Sequence, residues 1–143
     1  MVAGLPKYAH GQVRQRGSSP KLQVMNTALM TAQLGQSFDE VRQDGDLWGR
    51  LVESAAGAHL LNTSLGGSLE VSYWRERNME VDFVLHQGKT TVALEVKSGR
   101  RRESLAGMEA FARQFKPKRK LLVGGQGIPL EEFFLQPADS WLK

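Results

Sequence analysis

The feature that most constrains the fold is a change in hydrophobic period near residue 69. Between residues 69 and 97, three short segments alternate apolar and polar residues, which places every second side chain on one face of a β-strand. Segments 46–62 and 101–115 instead repeat apolar residues at the period of a helix, and a short apolar run follows at residues 120–125. This order predicts an α/β fold, with an α-β-β-β-α-β core in which helices flank a mixed sheet.

Residues 1–45 differ in character from the rest of the chain. Glycine, serine and proline are frequent in residues 1–21 without a periodic pattern, which predicts an irregular arm. From Leu22 to Ala32 the apolar residues have the spacing of one amphipathic helix. We therefore expect two parts, an N-terminal arm and helix over residues 1–45 and a domain over residues 46–143.

The composition restricts the available chemistry. The chain has 143 residues, of which 41% are hydrophobic, enough for the core of a single domain. It contains no cysteine, which excludes disulfides and thiolate metal sites, and its three histidines lack metal-ligand spacing. No apolar run reaches the roughly 18 residues of a membrane span, and the N-terminus lacks an export signal. We expect a cytoplasmic protein without membrane contact, in which oxygen or imidazole binds any metal.

Charged residues occupy the second and third predicted strands. Alternation places Glu80 with Asp82 on one strand, and Glu95 with Lys97 on the next. The polar residues 86–89 predict a hairpin turn, and a hairpin centred there makes Asp82 and Glu95 neighbours across the strand pair. Two carboxylates in that position repel each other, and a divalent cation between them would relieve the repulsion. The alternative is an ordinary sheet with charges on its solvent-facing side.

A metal held by these carboxylates would suit phosphodiester hydrolysis. Mg²⁺ prefers oxygen ligands and commonly takes one or two carboxylates, with waters and a phosphate oxygen in the other positions. Such a metal activates a water, while a nearby lysine neutralises the charge that develops on the phosphate. Lys97, beside Glu95, suits this role, although a simple ion pair between the two is the alternative.

Basic residues are concentrated in one part of the chain. Nine of the 19 lysines and arginines lie between Lys97 and Lys120, which suggests a nucleic acid as partner, although a solvated surface is the alternative. The residues that we expect to contact nucleic acid are Arg75, Arg100, Arg101, Arg102, Lys116, Lys118, Arg119 and Lys120.

The pattern resembles the PD-(D/E)xK nuclease superfamily, which includes restriction endonucleases and Holliday-junction resolvases. The resemblance covers residues 46–125 and rests on Asp82, twelve intervening residues, and Glu95-Val96-Lys97. It implies a restriction-endonuclease-like fold, with Glu53 on the preceding helix, Asp82, Glu95 and Lys97 as catalytic residues. The three acids would bind Mg²⁺ or Mn²⁺, with Glu80 as an auxiliary ligand. The chain departs from the pattern in having no proline before the aspartate.

A second resemblance spans nearly the whole chain. Four segments, RQRGSSPKLQVMNTALM, GRLVESAAGAHLL, YWRERNMEVDFVL and ALEVKSG, resemble in order and spacing an uncharacterised domain found C-terminal to prokaryotic AAA-type ATPase modules. This implies an ATPase module as a partner, whether the chain is a stand-alone protein or a detached domain. The chain itself offers no ATP site, because Gly88-Lys89-Thr90 has phenylalanine where a phosphate-binding loop has its first glycine.

Two functions remain open at this point. The first is a divalent-metal-dependent nuclease domain that hydrolyses DNA, and the second is a non-catalytic module of an ATPase system that binds nucleic acid or protein. Retention of Glu53, Asp82, Glu95 and Lys97 together favours the nuclease, because carboxylates without a metal would repel phosphate. The sequence does not distinguish DNA from RNA or a monomer from a homodimer.

Overall fold

The structure of the protein, a computed structural model, describes residues 1–9, 17–99 and 105–143. The N-terminal elements are β1 (Val2–Leu5), β2 (Lys21–Val24), α1 (Ala28–Ala32), α2 (Phe38–Gln43) and α3 (Gly45–Ser64). The elements that follow are β3 (Glu70–Glu76), β4 (Met79–Gln87), β5 (Thr90–Val96), α4 (Ala106–Phe115), β6 (Arg119–Val123), α5 (Leu130–Leu135) and a 3₁₀ helix (Ala138–Leu142). The predicted α/β class and the order α-β-β-β-α-β, here α3 to β6, are confirmed.

In the described part of the chain, the main sheet has four strands in the order β3-β4-β5-β6. The first three strands are antiparallel, and β5 and β6 are parallel, so the sheet is mixed as predicted. Two-residue turns join the antiparallel strands, one with Arg77 and Asn78 at positive φ and the other with Gly88 at φ 61°. The parallel pair instead requires a crossover, which α4 provides.

The core has two parts, one on each face of this sheet. Leu85 and Leu94 pack with Leu60 of α3 on one face, whereas Val84 and Ala93 pack with Phe111 of α4 on the other. Adjacent residues of β4 and β5 thus belong to different clusters, as the alternation predicts. Because helices cover both faces, the sheet does not have one side fully open to solvent.

A β-bulge interrupts the regular pairing of β3 with β4. Ser72 pairs with Val84 but Trp74 pairs with Val81, so that the single residue Tyr73 lies opposite both Asp82 and Phe83. Such a bulge bends the strand and changes the direction of the side chains beside it. Regular alternation along this strand therefore ends at Asp82.

The predicted helix from Leu22 is wrong in its first half. Residues 21–24 form strand β2, which pairs antiparallel with β1, and the helix α1 begins only at Ala28. Leu22 is 75% exposed and Leu29 is 50% exposed, so the apolar stripe has no surface to cover it. Pairing with β1 supplies partners for the backbone of residues 21–24, which local periodicity cannot reveal. The arm is likewise not irregular throughout, because it contains β1.

The C-terminal tail, whose form the sequence does not predict, folds back onto the core. Phe133 of α5 is fully buried, and Trp141 of the 3₁₀ helix stacks on it with ring centroids 5.7 Å apart. Ala138 and Leu142 are buried in the same cluster, on the α3 face of the sheet. None of the described helices is long and apolar enough to cross a lipid bilayer.

Candidate functional site

A polar cavity of about 240 Å³ lies where the N-terminal half of α3 meets the C-terminal end of β5. Its lining consists of Gly45, Asp46, Gly49, Arg50, Glu53, Asp82, Glu95, Val96, Lys97 and Ser98. Another cavity, of about 480 Å³, is larger but is lined by uncharged residues such as Phe38, Trp48 and Leu51. The smaller cavity is the candidate site, because it alone of these two contains groups that can bind a cation or transfer a proton.

Asp82 and Glu95 lie just beyond the last pair of the ladder between β4 and β5. The register predicted from the hairpin is confirmed along that ladder, where Phe83 pairs with Leu94 and His86 with Thr91. The Val96 N–H donates to Asp82 Oδ2 at 2.9 Å, and the Asp82 N–H donates to Glu95 Oε2 at 3.3 Å. Each carboxylate is thus held by a backbone group of the opposite strand.

Lys97 is next to these carboxylates, as predicted. Its Nζ donates to Glu95 Oε1 at 3.1 Å, and the two side chains are only 17% and 13% exposed. Beyond β5 the chain stays beside β6, because the Lys97 N–H donates to the Val123 carbonyl at 2.8 Å. This bond fixes the backbone that carries the lysine.

Burial and negative charge both act on Asp82. Burial, followed by the charges of Glu95 and Glu53, raises the pKa of Asp82 from 3.8 to about 8. Burial also raises the pKa of Glu95, although Lys97 opposes this shift. Burial and the neighbouring carboxylates therefore make the ionised form of Asp82 unfavourable.

Glu53 and Glu80, by contrast, are paired with cations. Lys21 Nζ of β2 lies 2.7 Å from Glu53 Oε1 and 3.1 Å from Glu80 Oε1. Arg75 Nη2 contacts the second oxygen of Glu80 at 2.8 Å. Burial alone would raise the pKa of Glu80, but Arg75 and Lys21 outweigh it and hold this pKa below its usual value. Lys21 therefore bridges an acid of α3 and an acid of β4.

The predicted metal ligands do not all converge. Within the described part of the chain, no three acidic or imidazole side chains are arranged to hold a metal ion. Asp82 and Glu95 each accept a hydrogen bond from a backbone N–H of the opposite strand, and both line the cavity. Glu53 lines the same cavity, whereas Glu80 contacts Lys21 and Arg75. Two carboxylates remain a sufficient protein contribution for Mg²⁺, which usually keeps several waters.

Four of the predicted nucleic-acid contacts lie towards the other end of the sheet. Arg119 pairs with Val92 in the parallel ladder, whereas Glu95 pairs with Leu122, three residues or about 10 Å further along the strand. The side chains of Lys116, Lys118, Arg119 and Lys120 are exposed there, although Lys118 Nζ donates to the Leu142 carbonyl and Lys120 contacts Glu109. Arg100, Arg101 and Arg102 lie outside the described residues.

Sequence reasoning did not assign three charged residues to the site. Asp46 and Arg50 line the cavity with Glu53, and Lys21 contacts Glu53 from outside it. Asp46, Arg50 and Glu53 follow the spacing of one helix face, so helical periodicity applied to polar residues could have identified the first two. Lys21 carries no such local signal, because its contact depends on how β2 packs against α3.

These features define a mixed α/β domain with two half-buried carboxylates and a lysine at one end of its sheet. The chain belongs to the family described as Domain of unknown function (DUF4143), whose match spans residues 48–134. That region contains Glu53, Asp82, Glu95 and Lys97, whereas Lys21 precedes it. No curated protein and no solved structure matches the chain.

Proposed function

We propose that this protein is a divalent-metal-dependent nuclease domain that hydrolyses phosphodiester bonds in DNA. The observation that carries the proposal is the placement of two carboxylates and a lysine at one polar cavity. Asp82 and Glu95 are each held by a backbone N–H of the opposite strand, and Lys97 contacts Glu95. An ordinary solvent-facing charge pattern would leave these side chains exposed, whereas both are half-buried and that of Glu95 is only 13% exposed. The resemblance of Asp82 and Glu95-Val96-Lys97 to the PD-(D/E)xK nucleases supports the same conclusion.

The residues present fit Mg²⁺ or Mn²⁺. Asp82 and Glu95 supply carboxylate oxygens, the ligands that these cations prefer. The raised pKa values of both acids reflect burial, with Asp82 further raised by the charge of Glu95, and a dication in the cavity would favour their ionised forms. When bound, the metal would supply an activated water and charge neutralisation at the phosphate.

Lys97 and Glu53 then have distinct roles within this proposal. The Lys97 ammonium lies beside Glu95, where it can donate to a phosphate oxygen or to the attacking water and stabilise the developing negative charge. Glu53 lines the cavity on the helix side, where its carboxylate can accept a hydrogen bond from a water of the site. Its ion pair with Lys21 limits direct metal binding in the form seen here.

The charge distribution supports a nucleic acid as the substrate, and the resemblance to restriction endonucleases and Holliday-junction resolvases favours DNA. Nearly half of the basic residues lie between residues 97 and 120, and phosphate contacts by such residues make binding strongly dependent on salt. The exposed side chains of Lys116 and Arg119 lie towards the opposite end of the sheet, so a bound duplex would extend from the cavity along the sheet to reach them. An AAA-type ATPase module is the proposed protein partner, from the second sequence resemblance.

The test combines metal binding with cleavage. Mg²⁺ and Mn²⁺ are titrated by calorimetry into wild type, Asp82→Asn and the control Glu70→Gln. Glu70 is an exposed residue whose ladder partner is His86, at the other end of the sheet. The same proteins are incubated with single-stranded, duplex and branched DNA. We expect the control to behave as wild type, and Asp82→Asn to lose metal binding and at least about 100-fold in cleavage rate.

The outcomes separate the nuclease from a binding module. Cleavage that requires metal and is lost in Asp82→Asn supports the nuclease. Wild-type protein that binds DNA but neither binds metal nor cleaves any of the three substrates contradicts it, and favours a non-catalytic module that binds nucleic acid or a protein. Equal activity in wild type and Asp82→Asn would trace the cleavage to a contaminant.

A further inference from the structure

Lys21 links the N-terminal hairpin, formed by β1 and β2, to two acidic residues at the candidate site. Its ammonium contacts Glu53 at 2.7 Å and Glu80 at 3.1 Å, and its side chain is 27% exposed. It therefore joins three elements, β2, α3 and β4, through one charged group. The two acids that it holds are the third ligand and the auxiliary ligand of the predicted metal site.

The position of Lys21 is set by the fold rather than by the ion pair alone. Two residues along β2, the side chain of Gln23 is 4% exposed and its amide donates to the Val24 and Ser54 carbonyls, both at 2.8 Å. That amide packs against Gly57 so closely that a Cβ atom there would overlap Gln23 Oε1. Gly57 and Glu53 are one helical turn apart, so β2 contacts α3 at successive turns through Gln23 and Lys21.

Glu80 is held from two further directions. Arg75, its ladder partner on β3, contacts the oxygen that Lys21 does not. On the α4 side, Gly107 approaches so closely that a Cβ atom there would overlap the Glu80 carbonyl oxygen. The backbone of Glu80 thus has no room to shift towards α4, and its carboxylate stays between the two cations.

The charges around the cavity leave one carboxylate in excess. Lys97 contacts Glu95, whereas Lys21 occupies Glu53 and shares Glu80 with Arg75. Among the described residues that line or adjoin the cavity, the acids are Asp46, Glu53, Glu80, Asp82 and Glu95, and the bases are Lys21, Arg50, Arg75 and Lys97. Removing Lys21 would release Glu53 Oε1 from its ion pair, whereas removing Arg75 would leave that contact in place.

We infer that Lys21 is a positioning residue that competes with the divalent cation for Glu53 and so sets the metal affinity of the site. The inference rests on the proposed function, because it concerns the same metal. In the form seen here the ammonium keeps Glu53 out of the ligand set, leaving Asp82 and Glu95 as the protein ligands. The N-terminal hairpin lies outside the family match, whereas the acids of the site lie within that match. A segment outside the matched region would thereby control the site.

The experiment is a double-mutant cycle read by metal affinity. Mg²⁺ is titrated by calorimetry into the full chain as wild type, Lys21→Met, Glu53→Gln and the double variant, with Lys21→Arg to restore the charge. Arg75→Met is the matched control, because it removes a cation from Glu80 without touching Glu53. Lys21→Gln, which keeps a donor for Glu53, serves if Lys21→Met does not fold, as judged by circular dichroism.

Lys21→Met is expected to bind Mg²⁺ about tenfold more tightly than wild type, and to gain more in Tm on addition of Mg²⁺. Lys21→Arg should match wild type, and Lys21→Met should have little effect in the Glu53→Gln background, because the competition acts through Glu53. Mg²⁺ binding by Lys21→Met but not by wild type would support the inference in its strongest form.

Three results would overturn it. An unchanged affinity in Lys21→Met shows that the lysine does not compete, while leaving the proposed function intact if wild type binds Mg²⁺. If Lys21→Met increases the Mg²⁺ affinity equally in the Glu53→Gln background, or if Arg75→Met increases it as much, the effect is a general one of charge rather than an action on Glu53. Absence of Mg²⁺ binding in every variant overturns both this inference and the proposed metal site.

Discussion

Two pairs of carboxylates lie close together in this protein and differ in their cationic partners and in their burial. Glu53 and Glu80 share Lys21, and Glu80 has Arg75 in addition, so the pKa of Glu80 lies below its usual value. Lys97 contacts Glu95, both Asp82 and Glu95 are more deeply buried than the first pair, and the pKa values of both are raised. The comparison shows that nearby cations and the extent of burial, rather than residue type, decide in which direction the pKa of a carboxyl group moves.

The largest expected effect comes from removing the charge of Asp82 in the metal-free protein. Its pKa is about 8 in the folded state, against 3.8 for an aspartate in the unfolded chain, so the folded protein binds the extra proton between these pH values. The contribution of Asp82 to the free energy of unfolding is therefore greatest below about pH 4, and it falls as the pH rises towards 8. We expect Asp82→Asn to remove that dependence and to stabilise the protein at pH 8 by about 3 kcal/mol.

Urea unfolding of wild type and Asp82→Asn, in chelator, at pH 5 and pH 8 measures this difference. The same measurement on Glu80→Gln provides the contrast between the two carboxylate pairs, because the pKa of Glu80 is lowered and its charge is favourable in the folded state. We expect Glu80→Gln to be less stable than wild type at pH 8. A gain in stability for Glu80→Gln would show that the two pairs do not differ.

An intermediate effect is expected where the hairpin contacts α3. Gly57→Ala would place a methyl group against the Gln23 amide, whose Nε2 donates two hydrogen bonds that restrict its movement. We expect a loss of about 2 kcal/mol, or roughly 6 °C in Tm. Gly45→Ala is the control, because a Cβ atom at that helical position has nothing within 4 Å. Equal Tm values for the two variants would show that β2 is not firmly held on α3.

The smallest effect is expected for Arg75. Its side chain is 63% exposed, and an ion pair at such a surface contributes about 0.5 kcal/mol or less because water screens the charges. Arg75→Ala should change the unfolding midpoint slightly at about 0.1 M salt and not at all at about 1 M salt. A larger loss that persists at high salt would mean that Arg75, like Lys21, is part of the framework that holds Glu80.

Local pattern was sufficient for much of the fold. The alternation around Leu85 and Leu94 placed β4 and β5, and the polar link after β4 led to a register that is confirmed at Phe83 and Leu94. The helix containing Glu53 was predicted from its apolar spacing and forms over Gly45–Ser64. These features depend on residues a few positions apart, whose side-chain period reflects the backbone that they adopt.

Long-range packing accounts for the errors. Residues from Leu22 onward have helical spacing, yet 21–24 form a strand because β1 supplies a partner from 16 to 22 residues earlier in the chain. Strict alternation predicts Glu80 and Asp82 on one face, but a bulge follows at Asp82 and Phe83. Glu80 contacts Lys21, whereas Asp82 accepts a hydrogen bond from the Val96 N–H. The hydrophobic pattern of neighbouring residues predicts neither the pairing with a distant strand nor the extra residue opposite Tyr73.

The sequence by itself determined the α/β order of the core, the hairpin register and the presence of Asp82, Glu95 and Lys97 near one another, because strand pairing follows from side-chain alternation and turn position. Only the tertiary structure decided which acids are charge-compensated. That outcome depends on Lys21, brought from the N-terminal hairpin to within 3.1 Å of Glu80, and on the burial of Asp82. Electrostatic energy depends on distance and solvation in space, which neighbours along the chain do not specify.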